Sequence, residues 1–332
     1  MGAPPSTGAI ALLGDVMLGR KVADALAEGT SPEDVWAPEL RELAASCDAV
    51  ICNLECCVSS GGRQTGRIGG KPFFFRAPPV AIDSLRAIGV NVVGLANNHA
   101  LDYETEALAD TLDVLGDAGI ALAGAGRDVE SARRGISIDA GERRIGLLAL
   151  SDHPAEFAAG EGEPGIAYAD LRRALPDWVV DELARLRSEC DLVVAFPHWG
   201  PNMTTEPSAS QRHLAVRMQA EGADIVAGHS AHVFHGLGWG PRGPIAFDLG
   251  NALDDYRVDP VLRNDLGLIA LWRPGDADAE LELVGLALEF CRTRLAAGVE
   301  AEWIGARLER ACDPLGTSVD QVAEGRFRVA PR

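Results

Sequence analysis

The segment Gly228-His229-Ser230-Ala231-His232-Val233 places two imidazoles three positions apart, directly after the run Ala223-Asp224-Ile225-Val226-Ala227. An apolar run that ends in Gly reads as a buried strand emptying into a loop. Histidines presented there can converge on one cleft as neutral imidazoles, the commonest side-chain ligands for metal ions. Of the seven histidines, His198, His229, His232 and His235 fall in one short stretch. His99 stands in Ala96-Asn97-Asn98-His99-Ala100-Leu101-Asp102, three residues before a carboxylate. The chemistry suggested is a metal site assembled from several strand ends, with an acid/base imidazole beside it.

The elements needed to hold such a site alternate along the chain. Ala9–Leu13, Ala49–Leu54, Val90–Leu95, Asp191–Phe196 and Pro244–Asp248 read as strands, and so do short runs near Ala121, Ile136 and Ile145–Leu150. Later strands are expected at Leu266–Trp272 and Glu280–Leu288. Helices are predicted over Val22–Glu28, Pro38–Ser46, Ala81–Ile88, Glu104–Ala118, Pro176–Ser188 and Ser208–Glu221, with one near Glu302–Arg310 closing the chain. Each strand empties into a polar cluster: Asp15 after the first, Asn53-Leu54-Glu55 at the second, Asn97–His99 after the third. Pro197-His198-Trp199-Gly200 and Asp248-Leu249-Gly250-Asn251 follow later strands. Open α/β sheets place their sites outside the carboxyl ends of strands. No internal repeat is visible. The expected organisation is a single domain over residues 1–332, with two sheets between helices. Residues 59–70 are read as a mobile loop and 152–168 as a lid-like loop.

Composition excludes several function classes. The chain has 332 residues, 47% of them hydrophobic, enough for a sizeable core. A net charge of −19 disfavours nucleic acid and anionic membrane as partners. No apolar run is long enough for a membrane span, and no basic, apolar leader is visible at the start. The seven cysteines are odd in number and lack a Cys-x-x-Cys pair, which suits reduced thiols in a cytoplasm. Adjacent Cys56 and Cys57 are not expected to chelate one ion.

The ordered motifs Gly-Asp-Val-Met, Asn-Leu-Glu, Asn-Asn-His-Ala-Leu-Asp-Tyr, His-Trp-Gly, Gly-His-Ser-Ala-His-Val and Leu-Gly-Asn run from Gly14 to Asn251. Together they resemble the CapA-like branch, associated with poly-γ-glutamate and capsule synthesis, of the calcineurin-like metallophosphatase superfamily. The resemblance implies a four-layer α-β-β-α fold and two divalent ions, of Mn, Fe, Zn or Ca. It implies Asp15 and His232 on the first metal and Glu55 between the two. Asn98, His198 and His229 would hold the second, with His99 as acid or base and Asp102 orienting its ring. Two departures stand out. Met17 occupies the third position of the superfamily's Asp-x-His, and a thioether is a poor ligand for hard ions, which implies a weaker, altered or empty first site. The last motif also carries one residue more than Gly-His-x-His. Both features are shared with the CapA-like branch and count against ordinary phosphatase chemistry.

Other residues carry plainer expectations. Asn97 is read as a turn residue, and His153 and His213 as surface residues. Trp199 and Phe234 are read as pocket wall or core. His235, Asp248 and Asp254 are as well explained by structural roles as by site roles. Arg63, Arg67 and Lys71 are read as a solvated loop in preference to a grip on an anionic substrate. Three functions stay open: hydrolysis of a peptide or polyglutamate-type substrate, epimerisation of a peptide through its Cα proton, and a noncatalytic role in a synthase complex. A plain phosphoesterase comes fourth. Capsule-assembly members generally carry an N-terminal membrane anchor, and none is visible here, which favours an enzyme of the cytoplasm.

Overall fold

The runs read as strands are apolar at successive positions because both of their faces are buried. In the computed structural model, which describes residues 7–275 and 280–332, the first strand spans Ile10–Val16. Ile10 and Leu12 enter one apolar cluster while Ala11 and Leu13 enter another, the alternation that a pleated strand imposes. Parallel strands Ala49–Leu54, Val92–Gly94 and Ala121–Ala123 extend this sheet to one side. Antiparallel strands Leu266–Arg273, Glu280–Glu289, Arg326–Pro331 and Thr317–Ala323 extend it to the other. A second sheet runs Leu237–Trp239, Pro244–Ala246, Ile225–Ala227, Leu192–His198, Arg143–Ser151, Ile136–Ala140, parallel through its centre.

Three apolar clusters define the layers. Between the sheets, Leu12, Ile51 and Val92 meet Leu147, Val194 and Phe196. Outside the first sheet, Leu13, Val50 and Val93 meet Val22, Leu40, Leu85 and Leu108 from helices Arg20–Ala27, Pro38–Ala45, Ile82–Ala87 and Glu104–Ala118. Outside the second, Leu148, Val193 and Val226 meet Leu183, Leu186, Leu214 and Met218 from helices Asp177–Glu189 and Ala209–Ala220. This is the expected four-layer α-β-β-α sandwich. Each fully buried leucine contributes about 1.5–3 kcal/mol, so the layers are held by many such burials and not by any one contact.

Local signals fix the element ends. The Glu104–Ala118 helix stops at Gly119, whose φ of +71° is the left-handed cap that glycine adopts without strain. The Ala209–Ala220 helix starts on a reciprocal capping box between Ser208 and Gln211.

The structure adds to or departs from the sequence reading in four places. The helix expected to close the chain spans Val299–Cys312 and is followed by the Thr317–Ala323/Arg326–Pro331 hairpin. A short helix at Val129–Arg133, capped by Asp128, lies in a stretch read as connection. Segment 152–168 carries a 3-10 turn at Ala155–Phe157 and a two-residue strand at Gly165–Ile166 that pairs with Ala125–Gly126. Segment 59–70 is tied down at several points. The Thr65 amide donates to the Asp102 carbonyl at 2.8 Å, Arg76 donates to the Gly61 carbonyl at 2.6 Å, and Arg67 donates to Glu104 at 3.0 Å.

Candidate metal centre

The carboxyl ends of strands from both sheets meet at one place. Asp15 lies next to last in its strand and Glu55 directly follows Ala49–Leu54. His198 closes Leu192–His198, and His229 lies two residues beyond Ile225–Ala227, joined to His198 by a parallel bridge. Two glycines permit this convergence. A Cβ on Gly14 would sit 1.8 Å from the Gly250 carbonyl oxygen, and one on Gly228 would sit 2.2 Å from that of Phe247. The loop between His229 and His232 is strained, with φ of +117° at Ser230 and +60° at His232. Asp248 braces it, its Oδ2 accepting the Ala231 amide at 2.7 Å. Strain held by its surroundings is characteristic of functional sites.

Asp15, His198 and His229 offer ligand atoms within 4.8 Å of one another, and so do Asp15, Glu55 and His232. His198 Nδ1 is 2.9 Å from His229 Nδ1, which is 3.5 Å from Asp15 Oδ1. His232 Nδ1 is 3.1 Å from Asp15 Oδ2 and 3.8 Å from Glu55 Oε2. Asn98 Oδ1 lies 3.1 Å from the far nitrogen of His198. The carboxylate common to both groups is therefore Asp15, whereas the sequence reading put Glu55 between them. Glu55 Oε1 and His229 Nε2 are buried without hydrogen-bond partners, while Asp15 Oδ2 faces the His232 imidazole. Leaving one such atom unpaired costs about 1–3 kcal/mol. An unpaired Glu55 oxygen beside the Asp15 carboxylate suits a divalent cation. Met17 is fully buried with its sulfur accepting the Gly19 amide at 3.1 Å.

Burial sets the protonation of these groups, modified by their neighbours. It holds the His198 imidazole well below its ordinary range and His229 at about 4, the neutral form that ligates metal. Burial also works against a charged His232, but Glu55 and Asp15 outweigh it and hold this imidazole up at about 10. For Asp15 burial raises the carboxyl, and the approach and charge of His232 reverse the sign and leave it lowered. His232 must lose its proton to ligate. Metal loading at pH 7 is therefore expected to release protons, that of His232 among them. Titration calorimetry in buffers of different ionisation enthalpy checks this; heats independent of buffer would contradict it.

Beside the centre, His99 Nδ1 is 2.6 Å from Asp102 Oδ2, and its ring stacks on Phe75 with centroids 3.8 Å apart. Burial lowers this imidazole to about 4 against the pull of Asp102. Lys71, read as part of a solvated loop, is instead buried here. Its Nζ is 3.2 Å from Asp102 Oδ1 and donates to the Asn98 carbonyl at 2.8 Å. Arg63 and Arg67 stay exposed. Asn97, read as a turn residue, is buried and donates to Asn53 Oδ1 and the Leu54 carbonyl, while Asn53 donates to Asp15 at 2.7 Å. Tyr256 donates to Glu55 Oε2 at 3.1 Å, and its ring lies edge-on to His232. No motif marked Lys71 or Tyr256, whereas Asn53 and Asn251 belonged to quoted motifs without an assigned role.

The remaining expectations sort cleanly. His153, expected on the surface, is half-buried with its ring 5.1 Å from that of His198; His213 is exposed. His235 is buried away from both groups and bonds to Thr204. Asp254 braces the Asn251 amide and the Tyr256 backbone, so it and Asp248 are structural supports. Trp199 and Phe234 are core. Burial pushes the Cys56 thiol up to about 12, and neither Cys56 nor Cys57 belongs to a ligand group among the described residues.

Four layers with buried carboxylates and imidazoles gathered at strand ends define an α/β protein whose cleft can hold divalent metal. Residues 9–256 match the family of bacterial capsule synthesis proteins, PGA_cap, and the chain belongs to that family. It is 30% identical over 297 residues to a "Probable polyglutamine synthesis accessory protein" of Mycobacterium tuberculosis, covering 86% of this chain and 77% of that one. It is 27% identical to the PGA biosynthesis protein CapA of Bacillus subtilis, covering 73% and 62%, and to the capsule biosynthesis protein CapA of Bacillus anthracis, covering 74% and 59%. A hypothetical protein of known structure from Thermus thermophilus aligns with a TM-score of 0.44 at 15% identity, covering 86% and 96%. Among the described residues, no helix is long and apolar enough to cross a membrane.

Proposed function

We propose that this protein is a metal-dependent enzyme acting on a peptide or poly-γ-glutamate-type substrate, with hydrolysis as its reaction. The observation that carries the reading is the coincidence of two ligand groups on Asp15 with the His99–Asp102 pair beside them. Asp15, Glu55 and His232 would hold one ion; Asp15, His198 and His229, with Asn98 alongside, the other. Bound divalent ions polarise a carbonyl and lower the pKa of water to roughly 7. Asp102 accepts from His99 Nδ1, which fixes the tautomer and leaves Nε2 to accept a proton. His99 then removes the proton of the attacking water and delivers it to the leaving amine. Lys71 shares the Asp102 carboxylate and holds it in place. In this reading residues 1–332 work as one domain, with 152–168 as its lid: Phe157 lies under Lys71, and His153 lies beside His198. The seven free cysteines support a cytoplasmic location in this reading.

The same parts can remove a Cα proton, so the test must separate cleavage from epimerisation. Metal-loaded protein is incubated with γ-linked and α-linked glutamyl oligomers in deuterated water and read by mass spectrometry. New amine termini are the expected result. Deuterium uptake without cleavage would replace hydrolysis by epimerisation. Neither product, with metal bound, would leave a noncatalytic accessory role.

A further inference from the structure

A protein of net charge −19 repels a polyanion at long range, so an acidic substrate needs a locally held cation at the cleft. Among the described residues, Lys71 lies in the site and Arg20 lies behind its aromatic wall. Lys71 is occupied, with its ammonium on Asp102 and the Asn98 carbonyl and its side chain 7% exposed. Arg20 is not. Its Nε lies 3.3 Å from Asp255 Oδ2, its side chain is 37% exposed, and its two terminal nitrogens have no hydrogen-bond partner among the described residues.

Three rings hold the guanidinium, with their centroids at 5.5 Å (Phe73), 5.7 Å (Phe75) and 5.9 Å (Tyr256). Two of these rings form the wall of the metal centre: Phe75 stacks on His99, and Tyr256 bonds Glu55 and packs on His232. Arg20 therefore stands one ring away from the acid/base group and from the ligand cluster. Its backbone is also left-handed, at φ +51°, a conformation that costs a non-glycine residue energy and that the fold maintains here. The third ring, Phe73, is 56% exposed beside the guanidinium and offers an apolar face to the stem of a ligand.

We propose that Arg20, held between Phe73, Phe75 and Tyr256, is the carboxylate-binding group of this cleft and selects acidic peptide substrates. The proposal rests on the reading above and narrows its substrate class. A guanidinium fork with both terminal nitrogens free matches a carboxylate in two parallel hydrogen bonds, which an ammonium cannot reproduce.

The test uses metal-loaded full-length protein, a γ-linked glutamyl tetramer with free α-carboxylates, and the same tetramer as its α-carboxamides. The wild type is expected to prefer the free acid at least tenfold in kcat/KM. Arg20→Met should raise KM for the free acid about tenfold and erase most of the preference, with unchanged metal content and thermal midpoint as controls. Arg20→Lys should recover only part of it. An unaltered preference in Arg20→Met overturns the assignment. Calorimetric binding of both tetramers separates this from failure of the proposed activity. If the wild type binds the free acid without converting it and Arg20→Met does not bind, the activity is wrong and Arg20 stands. If the wild type binds neither tetramer, or both alike, the Arg20 assignment falls.

Discussion

Asp15→Asn is expected to empty both halves of the metal centre at once. Asp15 is the one side chain belonging to both ligand groups, and the substitution removes a negative charge and a strong oxygen ligand from each. Even the partners that merely orient metal ligands are worth 10–100-fold in affinity, so the loss here should exceed about a hundredfold for each ion. His232→Ala should weaken only the group with Glu55, and His198→Ala only the group with His229. Elemental analysis of the purified variants beside the wild type gives the answer. Wild-type metal content in Asp15→Asn would break the assignment of both groups. A loss of half the metal would return Glu55 to the position between the ions.

His99→Gln is expected to lower turnover by about 10²–10⁴-fold, the usual contribution of a positioned acid or base, with metal content unchanged. His99 offers no atom to either ligand group, yet it stacks on Phe75 and bonds Asp102 within the same cleft. Asp102→Asn should fall by a comparable factor. An amide that donates to Nδ1 forces the opposite tautomer, and Nε2 then carries a proton and cannot accept one. Steady-state rates on the glutamyl oligomers settle it. More than about a tenth of wild-type turnover in His99→Gln would remove this residue from the chemistry.

Much of this was legible in the sequence because the strands are buried on both faces. Continuous apolar runs such as Leu192–Phe196 announce strands, and the polar cluster after each marks the ligand-bearing end. The C-terminal hairpin was missed because Thr317–Ala323 is mostly exposed and polar, so neither continuous burial nor clean alternation marks it. The short Val129–Arg133 helix carries too little periodic sequence to be seen. At the site, local motifs exposed the ligands but not the groups that reach them from afar. Lys71 meets Asp102 from 31 positions upstream and Tyr256 meets Glu55 from 201 positions downstream. Charged residues in a Gly-rich stretch read as solvated, and only the fold brings Lys71 over Phe157. Asn97 looked like a turn former for the same reason; its neighbour in space, Asn53, belongs to another strand.

The ligand groups draw on both sheets: Asp15 and Glu55 come from one, His198 and His229 from the other. An ion seated between them is a cross-link between two layers otherwise joined by apolar packing. Its binding energy then counts toward holding the sandwich closed, by about 1.4 kcal/mol for each tenfold of free metal above the dissociation constant. With such an ion bound, metal supply and resistance to unfolding would become one variable for this protein, and chelation would act on it as a mild denaturant aimed at a single seam.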